Sequence, residues 1–186
     1  ITLSCWIKPN GAQVANAGII FSSNAGATGL SYDGSGRLGY TWRDEAGSYS
    51  FNSGLTITAD VWSHVALVVT ATNATLYLNG TAATRTAAHG AALFDQAFLF
   101  GMDRYTTRNF KGLIDEVSIY NRSLSQNEIR ELMNLTRNNP NAGSLPGNDA
   151  SLVSYYQFNE GAGKPAYDKT GGRHASLVDE VALHAS

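Results

Sequence analysis

The chain has 186 residues, which is enough for one domain with a sizeable core. Its 13 Lys and Arg residues nearly balance its 15 Asp and Glu residues, and no basic run occurs, which argues against a dedicated nucleic-acid binder. The longest apolar runs, such as residues 65–69, are far too short to span a bilayer, so we expect a soluble domain without a membrane span. The abundance of Gly, Ser, Thr, Asn and Tyr is familiar in extracellular β-sandwiches.

The chain begins with a predicted β-strand over residues 2–8. Leu3, Cys5 and Ile7 alternate with the other residues of this segment, so they share one face, and Pro9 ends the strand. Cys5 is the only cysteine and cannot form a disulfide within the chain. We therefore expect it to be a buried structural thiol rather than a nucleophile.

Further short strands, separated by turns, follow through the first two thirds of the chain. Residues 29–32 and 37–42 flank the turn sequence DGSG and predict a β-hairpin. The apolar run over residues 63–70 is typical of a strand that is covered on both faces. The other predicted strands cover residues 18–22, 49–51, 74–78, 81–86, 98–101, 111–120, 152–158 and 174–183. This succession predicts an all-β sandwich.

The stretch over residues 110–125 runs from a predicted strand into a helix cap and contains a carboxylate of interest. In an extended segment, Leu113, Asp115, Val117 and Ile119 point the same way unless a bulge intervenes. Asp115 would then lie at the inner edge of the core. An unpaired carboxylate is costly there, so it needs a cation, backbone donors or a metal.

One α-helix is predicted in the C-terminal half. Ser123 or Ser125 can cap it, and Glu128 stands in the capping-box position relative to Ser125. The apolar stripe of this helix consists of Ile129, Leu132, Met133 and Leu135.

Five motifs in this order, CWIKP, DGSGRL, WSHVALVV, LYLNG and FKGLIDEVSIYNRSLSQNEI, resemble the laminin G-like domains of the concanavalin A-like lectin/glucanase superfamily in their bacterial secreted form. The resemblance runs from residue 1 to about residue 133. It implies an antiparallel jelly-roll β-sandwich with one short helix, in a secreted or cell-surface protein.

Residues 152–178 resemble the opening of such domains, although here they follow the helix. They either close their own sandwich, as a circular permutation would, or begin a second copy that pairs with another chain. We favour closure, because an orphan amphipathic strand would leave a sheet edge bare. Residues 152–158 should then lie in the same sheet as residues 117–120. The predicted single domain 1–186 comprises a main sandwich with its helix (1–137), a linker (138–150), and a strand with an aspartate loop (151–186).

A structural calcium ion is one hypothesis for a functional site. In the resembling family, a calcium at the sandwich rim binds an aspartate of a D-x-x-G loop and acidic residues of the I-D-E segment. The residues that this resemblance assigns to the ion are Asp115, Glu116, Asp168, Gly172 and His174. The alternative is that Asp115 is satisfied by loop amides and that Asp168 caps a turn.

A glycan-binding surface is a second hypothesis, because sugars are held by aromatic platforms and by polar side chains from loops. The loops after Trp42 and over residues 103–108 offer four candidates, Tyr49, Arg104, Tyr105 and Arg108. The alternative is that the aromatic residues form the core, as their strand patterns suggest for Trp6, Trp62, Tyr77 and Phe98.

Catalysis is the least supported hypothesis. Glycosidases of this fold use acidic residues at alternate positions of one strand, and no such run occurs here. The four histidines lack metal-ligand spacing, and we expect His64 to be a hydrogen-bonded structural residue.

The sequence therefore predicts a non-catalytic binding module for carbohydrate or a glycosylated partner, within a larger secreted protein that has neighbouring domains. A glycoside hydrolase or lyase domain, and a spacer domain of a repetitive adhesin, stay open as alternatives.

Overall fold

The computed structural model describes residues 1–22, 26–91, 97–105, 107–138, 150–161, 164–172 and 174–176. These residues form two antiparallel sheets and two helices. The strands are β1 (Thr2–Pro9), β2 (Gly18–Ser22), β3 (Thr28–Tyr32), β4 (Leu38–Thr41), β5 (Ser63–Val69), β6 (Asn73–Leu78), β7 (Thr81–Thr86), β8 (Phe98–Phe100), β9 (Gly112–Tyr120) and β10 (Leu152–Tyr156), and the helices are α1 (Ala46–Tyr49) and α2 (Gln126–Asn138). The predicted jelly-roll β-sandwich is confirmed.

The core lies between a six-stranded sheet, in the order β10-β9-β1-β5-β6-β7, and a four-stranded sheet, in the order β4-β3-β2-β8. Leu3 on β1 is flanked by Leu67 and Ile119 on the neighbouring strands, and all three side chains belong to this core. Cys5 is fully buried among them, as expected. Burial raises the pKa of the Cys5 thiol, and Asp115 raises it further, so the thiol is held in its unreactive protonated form.

A β-bulge in β9 changes the predicted orientation of Asp115. The register of β9 against β1 shifts between Ser118 and Asp115, and Glu116 within this interval has a φ of 53°. Beyond the bulge, Ile114 rather than Asp115 packs with Val117 against the core. The bulge is the exception to the predicted alternation, so Asp115 does not share the core-facing side of Val117, because one extra residue reverses the alternation.

Helix α2 begins at a capping box, as predicted. The Ser125 Oγ accepts a hydrogen bond from the Glu128 main-chain N–H at 3.3 Å, and Glu128 Oε2 accepts one from the Ser125 N–H at 2.8 Å. Arg122 lies 2.6 Å from the other Glu128 oxygen, and this hydrogen bond lowers the pKa of Glu128 to about 2. The buried helix residues Ile129 and Leu132 pack on a second cluster at the outer face of the six-stranded sheet, formed by Ala66, Val68, Tyr77, Tyr120, Leu124 and Tyr155.

Residues 49–51, predicted as a strand, do not form one. Tyr49 is the last residue of the short helix α1, and residues 50–51 follow it. The Trp42 N–H donates to the Ser48 Oγ at 2.8 Å, and this hydroxyl donates to the Glu45 carbonyl at 2.7 Å. These bonds fold the segment into a tight helical turn directly after β4. No helix in the described part of the chain combines the length and the apolar character that a membrane crossing requires.

The expectation of a buried Trp62 is wrong. This side chain is 40% exposed, whereas Trp6 and Tyr77 are buried and Phe98 packs partly against the core. The reason is its position: Asp60, with a φ of 61°, turns the chain before β5, so Trp62 precedes the paired strand.

Strand β10 pairs with β9 in the same sheet, as closure within the chain requires. Its other edge is covered by the aspartate loop through a bridge between Tyr156 and Asp168. Ala166 and Ala175 then exchange two main-chain hydrogen bonds of 3.0 and 2.9 Å. Most of the predicted linker (139–149) and the end of the last predicted strand (177–183) lie outside the described residues.

Candidate functional site

The two loops predicted to contact a ligand meet in the structure. Arg104 Nη2 lies 3.0 Å from Asp44 Oδ2, which links the segment after β8 to the segment after β4. Strands β4 and β8 are the two edges of the four-stranded sheet, so this ion pair joins segments that leave the sheet from opposite edges. We call Asp44, Asp103, Arg104, Tyr105 and Arg108 the Arg104 cluster.

The exposed ring at the centre of this cluster is Tyr105, whose side chain is 50% exposed. The guanidinium carbons of Arg104 and Arg108 lie 4.3 and 5.2 Å from the ring centroid, within the range of cation–π attraction. Arg104 Nη2 also donates a hydrogen bond to the Tyr105 hydroxyl oxygen. The cluster therefore presents an aromatic surface flanked by two cations.

Arg108 is held by a carboxylate that is almost fully buried. Its Nε donates to Asp103 Oδ2 at 2.5 Å, and Asp103 is 1% exposed. The Arg108 carbonyl accepts a hydrogen bond from the Gly18 N–H at 3.0 Å, which ties the segment to the start of β2. The buried pairing and this main-chain bond fix the position of the arginine.

Sequence reasoning selected Arg104, Tyr105 and Arg108 but not the carboxylates that position them. Asp103 stands beside Arg104 in the sequence yet pairs with Arg108, and Asp44 comes from the other loop. The sequence did contain a signal for these carboxylates, since each of the two loops includes an acidic residue next to an arginine. The fourth candidate, Tyr49, ends α1 in the same segment as Asp44 and is 47% exposed.

The aspartate loop is satisfied by donors of the chain itself. Asp168 is buried, and its Oδ1 accepts hydrogen bonds from the N–H groups of Tyr155 and Thr170 at 2.9 and 3.0 Å. Burial alone would raise the pKa of Asp168, but these hydrogen bonds lower it overall. The Asp168 N–H donates to His174 Nδ1 at 3.3 Å, while Gly172 is exposed.

The acidic pair on β9 has a different set of partners. Glu116 is 5% exposed and accepts a hydrogen bond from the Tyr155 hydroxyl. Burial raises the pKa of Glu116 to about 7, against the opposing effect of this bond. Asp115 Oδ1 accepts the Glu116 N–H at 2.8 Å, and burial raises its pKa as well.

The predicted calcium ligands are divided between two places. Asp115 and Glu116 are on β9, whereas Asp168 lies beyond β10, so about 10 Å, two strand spacings, separates the two backbones. Calcium ligands must all lie roughly 2.5 Å from the ion, so an ion that all of them shared would have to lie between these two backbones. Among the described residues, no three His, Cys, Asp or Glu side chains are placed to hold a metal.

The role of Asp168 can be tested in the presence and absence of calcium. We expect Asp168→Ala to lower the free energy of unfolding by about 2 kcal/mol even in chelator, because buried N–H donors lose their acceptor. Asp168→Asn retains one carbonyl oxygen and should cost less in chelator. Thermal melts with calcium and with chelator provide the measurement. A cost of Asp168→Ala that occurs only with calcium would instead assign the carboxylate to an ion.

The two packed antiparallel sheets form a jelly-roll sandwich, the fold of the concanavalin A-like proteins. The chain belongs to the Laminin_G_3 family of the concanavalin A-like lectin/glucanases superfamily, whose family model matches residues 1–130. The resemblance found in the sequence is thereby confirmed. No curated protein matches the chain at a significant level.

Several solved structures share the fold. A proposed carbohydrate-binding protein from Bacteroides ovatus ATCC 8483 is 20% identical with a TM-score of 0.68, and the match covers 91% of this chain and 49% of that chain. Domain 4 of AbnA, an extracellular GH43 arabinanase from Geobacillus stearothermophilus solved with arabinotriose, is 22% identical with a TM-score of 0.54, covering 69% of this chain and 64% of that chain. A mutant Trypanosoma rangeli sialidase with trans-sialidase activity is 22% identical with a TM-score of 0.56, covering 73% and 23%.

These structural similarities establish the fold. The chain spans about half of the first protein's length, 49%. The match to that protein covers 91% of this chain, which is more than the 130 residues that the family model matches. The shared fold therefore includes part of the chain beyond residue 130.

Proposed function

We propose that this chain is a non-catalytic, extracellular binding module for carbohydrate or a glycosylated partner. Membership of a lectin-like superfamily supports this function, and so does the similarity in fold to a proposed carbohydrate-binding protein and to a domain solved with arabinotriose. A secreted or cell-surface protein with further domains is the setting that we propose for it, and a structural calcium at the rim is a separate proposal that the melts described above test.

The observation that carries the proposal is the half-exposed Tyr105 ring beside two guanidinium groups that carboxylates hold in place. An aromatic ring offers an apolar face for the C–H groups of a sugar, and guanidinium N–H groups can donate to its hydroxyls. Because Asp44 and Asp103 already hold Arg104 and Arg108, little side-chain ordering remains to be done on binding.

The same contacts favour binding over hydrolysis at this site. A glycosidase needs one carboxyl as a general acid and a second as a nucleophile or base. Here both carboxylates of the Arg104 cluster are engaged with arginines, and Asp103 is 1% exposed. The spacer alternative lacks support of this kind, since it gives no reason for an exposed ring with ordered cations around it.

Replacing Tyr105 with alanine tests this function. We expect binding to a glycan array and affinity in titration to fall about tenfold or more, because the apolar face is lost while the arginines keep their carboxylates. Melting temperature should change little, since half of the side chain is exposed.

Tyr167→Ala is the matched control, because this tyrosine is similarly exposed at 43% and lies in the aspartate loop. Equal binding by both variants would place the ligand elsewhere on the molecule. A wild-type chain that binds no glycan would contradict the proposed function and favour the spacer.

A further inference from the structure

Arg108 carries hydrogen-bond donors that no described residue of the protein accepts from. Its Nε and its main-chain N–H both donate to the Asp103 carboxylate, at 2.5 and 3.4 Å. The two terminal nitrogens, Nη1 and Nη2, make no hydrogen bond with any residue that the structure describes. The side chain is 36% exposed and lies beside the Tyr105 ring. A pair of parallel donors is thus available next to an exposed aromatic surface.

The support behind this arginine is rigid. A Cβ added at Gly18 would lie 2.4 Å from the main-chain atoms of Met102 and Asp103, so this segment packs directly on the start of β2. Asp103 is 1% exposed and accepts from the Nε edge of Arg108. With that edge occupied, the terminal nitrogens are the groups left for a ligand.

The neighbouring arginine has a different role. Arg104 Nη2 donates both to Asp44 and to the Tyr105 hydroxyl, so this guanidinium orients the ring and joins the two loops. Its positive charge lies 4.3 Å from the ring centroid. It therefore holds in place the ring that lies beside Arg108, while Asp44 balances its charge.

We propose that the ligand of the Arg104 cluster is a saccharide bearing an anionic group, either a carboxylate or a sulfate, and that Arg108 Nη1 and Nη2 bind this group. Two parallel N–H groups match the paired oxygens of a carboxylate or a sulfate, and such charge-assisted bonds are about twice as strong as neutral ones. This inference rests on the proposed carbohydrate binding at the same site and specifies the class of sugar.

The test is an array that contains oligosaccharides with uronic or sialic acids, their methyl esters, sulfated heparin fragments with their desulfated forms, and neutral oligosaccharides. We expect binding to the acidic members and loss of binding on esterification or desulfation, and the two sets distinguish a carboxylate from a sulfate. Arg108→Lys keeps the charge but loses the paired donors, so affinity should fall about tenfold.

Arg37→Lys is the matched control, because Arg37 Nε also pairs with a buried aspartate, Asp33, at 2.7 Å and belongs to the β3–β4 hairpin. A selective loss in Arg108→Lys, with a melting temperature equal to that of the control, would support the inference. Equal binding of neutral and acidic glycans would overturn the anionic ligand and leave carbohydrate binding intact. Binding of no glycan at all would overturn both.

Discussion

Replacing Gly18 with alanine should lower the free energy of unfolding by about 3 kcal/mol and weaken ligand binding at the Arg104 cluster. The added Cβ would lie 2.4 Å from the carbonyl carbon and oxygen of Met102 and from the nitrogen of Asp103. These are main-chain atoms, so the clash can be relieved only by moving the segment, and overpacking of this kind costs about 1–3 kcal/mol. The same movement would displace the carboxylate that positions Arg108.

Gly34→Ala is the control for this substitution. Gly34 lies in the hairpin turn, and a Cβ there would meet no atom within 4 Å. Its stability should stay within about 0.5 kcal/mol of wild type, as is usual for surface positions. Urea unfolding and glycan titration of both variants provide the measurement. A Gly18→Ala protein with wild-type stability would mean that the segment after β8 is not packed on β2.

Structural features that are determined by residues close together in the sequence could be predicted from the sequence alone. The capping box of Ser125 and Glu128 and the DGSG hairpin are local signals, and both occur at the predicted positions. The strands over residues 18–22 and 81–86 also have the predicted bounds, because the turn formers that flank them are local signals.

Features set by contacts between distant segments could not be predicted. The bulge at Glu116 depends on how β9 aligns with β1, and that alignment moves Asp115 away from the core. Pairing of Asp44 with Arg104 likewise joins two loops that are far apart in the sequence. The resemblance supplied Asp115 and Asp168 as one ligand set, but only the strand order reveals that β10 separates them.

Two buried groups should give the stability of the protein an unusual dependence on pH. Burial lowers the pKa of His64 to about 3 from 6.5, whereas burial raises the pKa of Glu116 to about 7 from 4.5. As the pH falls below 6.5, the unfolded chain protonates His64 and the folded protein does not, so stability is lost. Between pH 7 and 4.5 the folded protein instead gains a proton on Glu116 that the unfolded chain lacks, so stability increases. Each effect amounts to about 1.4 kcal/mol per pH unit.

The two slopes oppose each other, so we expect stability to be nearly constant from pH 6.5 to 4.5. Below pH 4.5 the gain from Glu116 ends while the loss from His64 continues, and Glu128, with its pKa of about 2, and Asp168, whose hydrogen bonds also lower its pKa, add to this loss. The total loss from His64 between pH 6.5 and 3 should be about 4 kcal/mol. Unfolding by urea at a series of pH values, in chelator so that no divalent ion alters the carboxyls, measures this profile.

Single substitutions should separate the two contributions. His64→Gln can still reach the Ser4 hydroxyl, which lies 2.8 Å from His64 Nε2, but it cannot take up a proton, so its stability should rise as the pH falls from 7 to 4.5. Glu116→Gln can still accept from Tyr155 and should lose stability directly from pH 6.5 downward. If the wild type and both variants showed the same dependence of stability on pH, neither His64 nor Glu116 would be responsible for it. Opposite slopes in the two variants would establish that His64 is kept neutral by burial. Its ring lies 5.4 Å from that of Trp6, whose Nε1 donates a hydrogen bond to Thr136 of α2.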